Sequence, residues 1–134
     1  MNSFNHYSFG AVAAWMYNYS LGIQRDPNHP GFKHFILEPT PDPSREMKFA
    51  KGYYNSMYGR ISSEWNWLGD GWSYSVTVPA NTSATLKLDV DDVNNIRVDE
   101  RKVKKAKGVS FKNIDKNKVE LELLSGKYNF RIKE

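Results

Sequence analysis

Two periodicities divide the chain. From about Asn5 to Gly22, apolar positions recur at helical spacing, with Phe9, Val12, Ala13 and Met16 on one face, several alanines and no proline. Ser3 or Asn5 can cap the start. Gly22 is a C-terminal stop, and the loop Asp26-Pro27-Asn28-His29-Pro30-Gly31 prevents continuation. The opposite side of this predicted helix is not polar, since Ala11, Trp15, Tyr19 and the flank of Tyr17 occupy it. Leaving roughly 400 Å² of such surface in water would forgo about 10 kcal/mol, comparable with the stability of a whole domain. A sheet covers one side of a helix, so the other is expected to meet an upstream domain or a second copy of the chain.

After Gly31 the period becomes two. Trp72, Tyr74, Val76 and Val78 alternate with Ser73, Ser75 and Thr77, and Ala84, Leu86, Leu88 and Val90 alternate with Thr85, Lys87 and Asp89. Val119, Leu121 and Leu123 repeat the pattern, as do Tyr128, Phe130 and Ile132. Turn signals stand at Leu68-Gly69-Asp70-Gly71, Pro79-Ala80-Asn81-Thr82, Asp115-Lys116-Asn117 and Ser125-Gly126. With further strands at 35–38, 47–53, 58–67, 96–99, 102–104 and 109–113, eight to ten are expected. The predicted fold is mainly β: an antiparallel two-sheet β-sandwich preceded by one N-terminal α-helix. Residues 1–30 are assigned to the helix and its exit loop, and 31–134 to the sandwich.

A length of 134 residues suits one core, and an aromatic share of 14% supplies large side chains to fill it. The net charge of +4 draws attention to Arg101, Lys102, Lys104, Lys105 and Lys107. Asp91, Asp92, Asp99 and Glu100 dilute that patch, and no aromatic residue interrupts it to stack on bases, so a solvated hairpin is favoured over a nucleic-acid contact. Cysteine is absent, which excludes a disulfide scaffold and a thiolate metal site but leaves the compartment open. Residues 1–24 carry no Asp, Glu, Lys or Arg, yet Asn5, His6, Asn18 and Ser20 argue against a signal peptide or membrane span.

Glycoside hydrolysis normally needs two carboxyl groups across a sugar, about 6.5 to 9.5 Å apart in an inverting enzyme. Glu38 precedes a proline-rich turn, Glu46 begins a strand, Glu64 lies on the polar side of its strand and Asp70 sits in a hairpin turn. None has a partner that sequence places across a cleft, so no catalytic residue is assigned. His6, His29 and His34 share no metal-ligand spacing, so neither a metal nor a cofactor is expected. His6, at the helix start, can hydrogen-bond a ligand hydroxyl, although a histidine there more often serves structure.

Trp65, Trp67, Trp72, Tyr53, Tyr54 and Tyr58 could form an aromatic platform for sugars. Parity weighs against it, because Ile61, Trp65 and Trp67 share one face, and Trp72 shares its face with Val76 and Val78. Asn81-Thr82-Ser83 is a formal glycosylation sequon that a turn explains equally well.

The opening Ser3-Phe4-Asn5-His6-Tyr7-Ser8-Phe9-Gly10-Ala11-Val12 resembles the segment leading into the last barrel helix of bacterial α-L-rhamnosidases. Gly22-Ile23, Asp26-Pro27, Pro30-Gly31-Phe32-Lys33-His34-Phe35 and Glu38-Pro39 are similar to the exit from that helix. Ser56-Met57-Tyr58-Gly59-Arg60-Ile61 and Val76-Thr77-Val78-Pro79-Ala80-Asn81-Thr82 are similar to the C-terminal sandwich, and Ser125-Gly126-Lys127-Tyr128-Asn129-Phe130 follows it more loosely. The resemblance implies an upstream (α/α)6 barrel that removes terminal α-L-rhamnosyl groups from rhamnose-containing glycosides with inversion. Its general acid and general base, both glutamates, would precede Met1. His6 would hydrogen-bond the bound rhamnose, and Asn5 would shape the turn beside it. This reading also allows a homodimer through the exposed helix face as a partner arrangement, and a stand-alone carbohydrate-binding module and a ligand-free oligomerisation domain are the rival readings.

Overall fold

The alternating residues become nine strands in the computed structural model, which describes residues 19–134. They are β1 (Ile23–Arg25), β2 (His34–Leu37), β3 (Phe49–Ser56), β4 (Gly59–Leu68), β5 (Gly71–Leu88), β6 (Ile96–Val98), β7 (Arg101–Lys102), β8 (Val109–Asp115) and β9 (Lys118–Lys133). The helix expected over about Asn5–Gly22 lies, through residue 18, outside the described residues. At its expected end, Leu21 and Gly22 run in irregular backbone, and elsewhere short 3-10 turns such as Val93–Asn95 join the strands.

The two long strands, β5 and β9, organise the molecule. They pair antiparallel twice, residues 71–78 with 126–133 and residues 83–88 with 119–124, with a register shift between Val78 and Ser83. The first stretch centres a leaf ordered β3-β4-β5-β9-β6-β7, and the second a leaf ordered β1-β2-β5-β9-β8. One continuous sheet thus folds over on itself to make the sandwich.

Pro79-Ala80-Asn81-Thr82 and Ser125-Gly126 are therefore not turns between strands, as their composition predicts, but the places where one strand crosses from leaf to leaf. Asn81 takes φ +63° and Gly126 φ +150°, and Thr82 Oγ1 donates to Pro79 O at 2.7 Å. The chain bends there and then carries on in β conformation, as it does at a bulge. A second correction concerns direction. β2 and β5 run parallel, His34 opposite Ser83 through Leu37 opposite Leu86. The long passage through β3 and β4 between them supplies the crossover that a parallel pair needs.

Inward residues from both leaves meet in one core. Ile61, Trp65, Tyr74, Val76, Phe130 and Ile132 come from the first leaf, and Phe35, Leu37, Leu86, Leu88, Leu121 and Leu123 from the second, all buried. Strand parity places each of them, because every second residue faces the opposite leaf. β1 adds Ile23 to this core, although three residues are too few to carry an alternation.

Candidate functional site

The chain enters the sandwich between its leaves. Trp65 Nε1 donates to Ser20 O at 2.9 Å and Ser63 Oγ donates to Leu21 O at 2.8 Å, both buried and both from the inward face of β4. Tyr74 Oη lies 3.1 Å from Ser63 Oγ, and burial pushes the Tyr74 hydroxyl above its ordinary range. Gly22 then turns with φ +76°, so close to the Glu38–Pro39 peptide that a Cβ would not fit, and its carbonyl accepts from the Glu38 N–H at 2.9 Å. These contacts satisfy the backbone of the entering segment in a place water does not reach.

His6, the one substrate-binding residue expected, lies outside the described residues. The four carboxylates considered for hydrolysis are scattered. Glu38 accepts from Lys118 Nζ at 2.6 Å, and Asp70, in the β4–β5 turn, is ion-paired with Arg131 of β9. Glu46 is exposed in the loop before β3 rather than at a strand start, and Glu64 points outward from β4. Among the described residues no group of three or more His, Asp and Glu is placed to hold a metal ion.

His34 belongs to a polar cluster that knits the exit loop to the second leaf. Its Nδ1 lies 2.6 Å from Ser83 Oγ and its Nε2 2.9 Å from Thr85 Oγ1, with Asp26 and Glu122 carboxylates each 3.9 Å from Nε2. Asp26 in turn accepts from the Asn28 N–H and contacts His29 Nδ1, and that backbone hydrogen bond, followed by the His29 contact, holds its carboxyl below the usual range. Every partner is a side chain or loop of this fold, so the cluster reads as a structural clasp.

The tryptophans do not make an exposed platform. Trp65 is 0% and Trp72 3% exposed, and Trp67 donates from Nε1 to Asp42 O at 2.7 Å beneath the Arg45 guanidinium. Asn81-Thr82-Ser83 is the crossing point described above. Of the basic residues near the C-terminal half, Lys104 and Lys105 are solvated on a short turn over the buried Val103.

The outward face of the first leaf is a different matter. Cross-strand register aligns Tyr53, Ser62, Thr77 and Lys127 in one row and Lys51, Glu64, Ser75 and Asn129 in the next. Ser62 on β4 with Ser75 and Thr77 on β5 form a floor, and the longer Lys51 and Tyr53 on β3, Arg60 and Glu64 on β4 and Lys127 on β9 also line a groove of about 500 Å³. Arg60 lies 3.9 Å over the Tyr53 ring and donates from Nε to Asn55 Oδ1 at 3.1 Å. The β3–β4 half of this arrangement follows strands expected at 47–53 and 58–67, which the structure pairs as Phe49–Ser56 with Gly59–Leu68. The placement of β9 beside β5 does not follow from the sequence pattern, because β5 and β9 are joined by some of the longest-range pairing in the chain.

Fold and topology define a β-sandwich whose two leaves share the strands β5 and β9. Residues 22–104 match the family described as the bacterial alpha-L-rhamnosidase C-terminal domain, and the chain belongs to that family. An alpha-L-rhamnosidase of Formosa agariphila is 31% identical over 133 residues, covering 99% of this chain and 14% of the relative. One from Alteromonas sp. is 40% identical over 84 residues, covering 63% and 9%. The solved alpha-L-rhamnosidase of Streptomyces avermitilis, complexed with L-rhamnose, superposes with a TM-score of 0.77 at 28% identity, over 99% of this chain and 12% of its own. That of Dictyoglumus thermophilum shares the fold, with a TM-score of 0.74 at 24% identity, over 94% and 14%. The chain thus spans about a seventh or less of the length of these relatives.

Proposed function

We propose that the chain is the C-terminal part of a glycoside hydrolase that removes terminal α-L-rhamnosyl groups with inversion, and that this part is structural and inactive alone. In this reading residues 1–30 complete the last helix of an upstream (α/α)6 barrel and its exit, and residues 31–134 form a sandwich packed on that barrel. The observation that carries it is the coverage: 99% of the chain aligns with 14% of the Formosa agariphila relative and 12% of the Streptomyces avermitilis structure. The four carboxylates considered for hydrolysis agree, since Glu38 and Asp70 are each ion-paired with a basic side chain, Glu46 is exposed in a loop and Glu64 points outward from β4. His6 is assigned to the parent's sugar site, where it would orient the rhamnose through a hydrogen bond.

An aryl α-L-rhamnoside assay tests both parts. The 134-residue chain should release no aglycone above background, and turnover that disappears with Glu38→Gln or Glu64→Gln would sink the proposal. In the full-length protein His6→Ala should raise KM by about tenfold, as expected for loss of a binding hydrogen bond of about 1.4 kcal/mol. An unchanged KM would remove His6 from the site.

A further inference from the structure

We propose that the groove on the outward face of the first leaf binds an acidic saccharide, a short chain of sugars bearing uronate carboxylates. The groove stands apart from the rhamnosyl reading, and its failure would leave that reading untouched.

Its chemistry is that of a sugar site. The floor offers the hydroxyls of Ser62, Ser75 and Thr77, groups that both donate and accept as sugar hydroxyls do. Ser75 Oγ donates to Asn129 Oδ1 at 2.7 Å, which orients that amide and leaves its nitrogen free to donate. The volume of about 500 Å³ lies within the roughly 300 to 1,000 Å³ usual for small-ligand sites.

Charge decides which sugar. Lys51, Arg60 and Lys127 line the groove against a single carboxylate, Glu64. No carboxylate among the described residues is ion-paired with any of the three, whereas Arg131, Lys118, Lys112 and Arg45 each have such a partner. Arg60 is also preorganised: the Tyr53 ring supports its guanidinium from below and Asn55 holds Nε, so its two terminal nitrogens form a fixed fork of the kind that fits a carboxylate. Tyr53 is a positioning residue here. A nucleic acid fits less well, because of the two tyrosines that line the groove Tyr128 is buried and the Tyr53 ring is already covered by Arg60.

The groove also faces the right way. The chain enters against the inward side of β4, at Ser63 and Trp65, and the groove occupies the outward side of the same strand. A saccharide lying there approaches from the side opposite that entry.

Titration calorimetry of the 134-residue chain at low salt, with trigalacturonate, monomeric galacturonate and maltotriose, tests the inference. Trigalacturonate should bind saturably, at least about fivefold more tightly than the monomer, with no measurable binding of maltotriose. Lys127→Glu and Arg60→Ala should each weaken it about tenfold, and Tyr53→Ala about threefold, with melting temperatures confirming that these surface variants fold. Raising salt should weaken it further. The inference is overturned by no binding of the trimer, by equal binding of maltotriose or of the monomer, or by unchanged affinity in Lys127→Glu and Arg60→Ala.

Discussion

Gly22 shows how much one missing side chain can decide. A Cβ there would lie 2.2 Å from the carbonyl carbon of Glu38, and the backbone sits at φ +76°, a conformation that costs an alanine roughly 1 to 2 kcal/mol before any clash. Gly69, in the β4–β5 turn, has nothing within 4 Å of the same position. Gly22→Ala should therefore lower stability by at least about 2 kcal/mol in urea titration, while Gly69→Ala stays within about 0.5 kcal/mol. Equal effects would mean that the seal around the entering segment is looser than described. The sequence marks Gly22 as a helix stop, but its contact with Glu38 depends on β1 pairing with β2, which three residues do not announce.

At the scale of elements, the loop before β3 is held by one carboxylate. Asp42 accepts from the Met47 N–H at 2.8 Å and from the Ser44 N–H and hydroxyl, while its own carbonyl receives Trp67 Nε1. The Met47 hydrogen bond, then that of the Ser44 hydroxyl, keeps the Asp42 carboxyl below its ordinary value of 3.8. A carboxyl depressed in the folded state contributes stability above its unfolded pKa and loses it as pH falls through the folded one. Urea midpoints should drop as pH falls from about 5 to 2.5, and Asp42→Asn should start lower and fall less steeply. Parallel curves for the two proteins would remove Asp42 from the account. Such a loop is hard to foresee, since Pro41-Asp42-Pro43-Ser44 signals only irregular backbone. The strands around it were legible: Trp72 to Val78 and Val119 to Leu123 alternate cleanly because one face of each meets the core. What alternation conceals is continuity. Proline, asparagine and glycine at 79–82 and 125–126 spell a hairpin and a crossing bulge in the same letters, and only the pairing of β5 with β9 distinguishes the two.

For the whole molecule, the comparison of lengths fits the little that local chemistry says about catalysis: the chain spans about a seventh or less of its relatives, and in the function proposed above the catalytic residues would lie outside it. The sandwich itself has a property that follows from its two spanning strands. Leu121, fully buried on the second leaf, and Phe130, buried on the first, lie on one uninterrupted β9. Leu121→Ala should cost about 2 to 5 kcal/mol and should shift near- and far-ultraviolet dichroism melts together, in a single step. A biphasic melt, with one half surviving the other, would contradict that arrangement. Two sheets from separate strands can drift apart like a book losing its binding. Here the pages and the spine are the same thread, so a pull on either end of β9 reaches both covers at once, and the fold has no seam along which to come open.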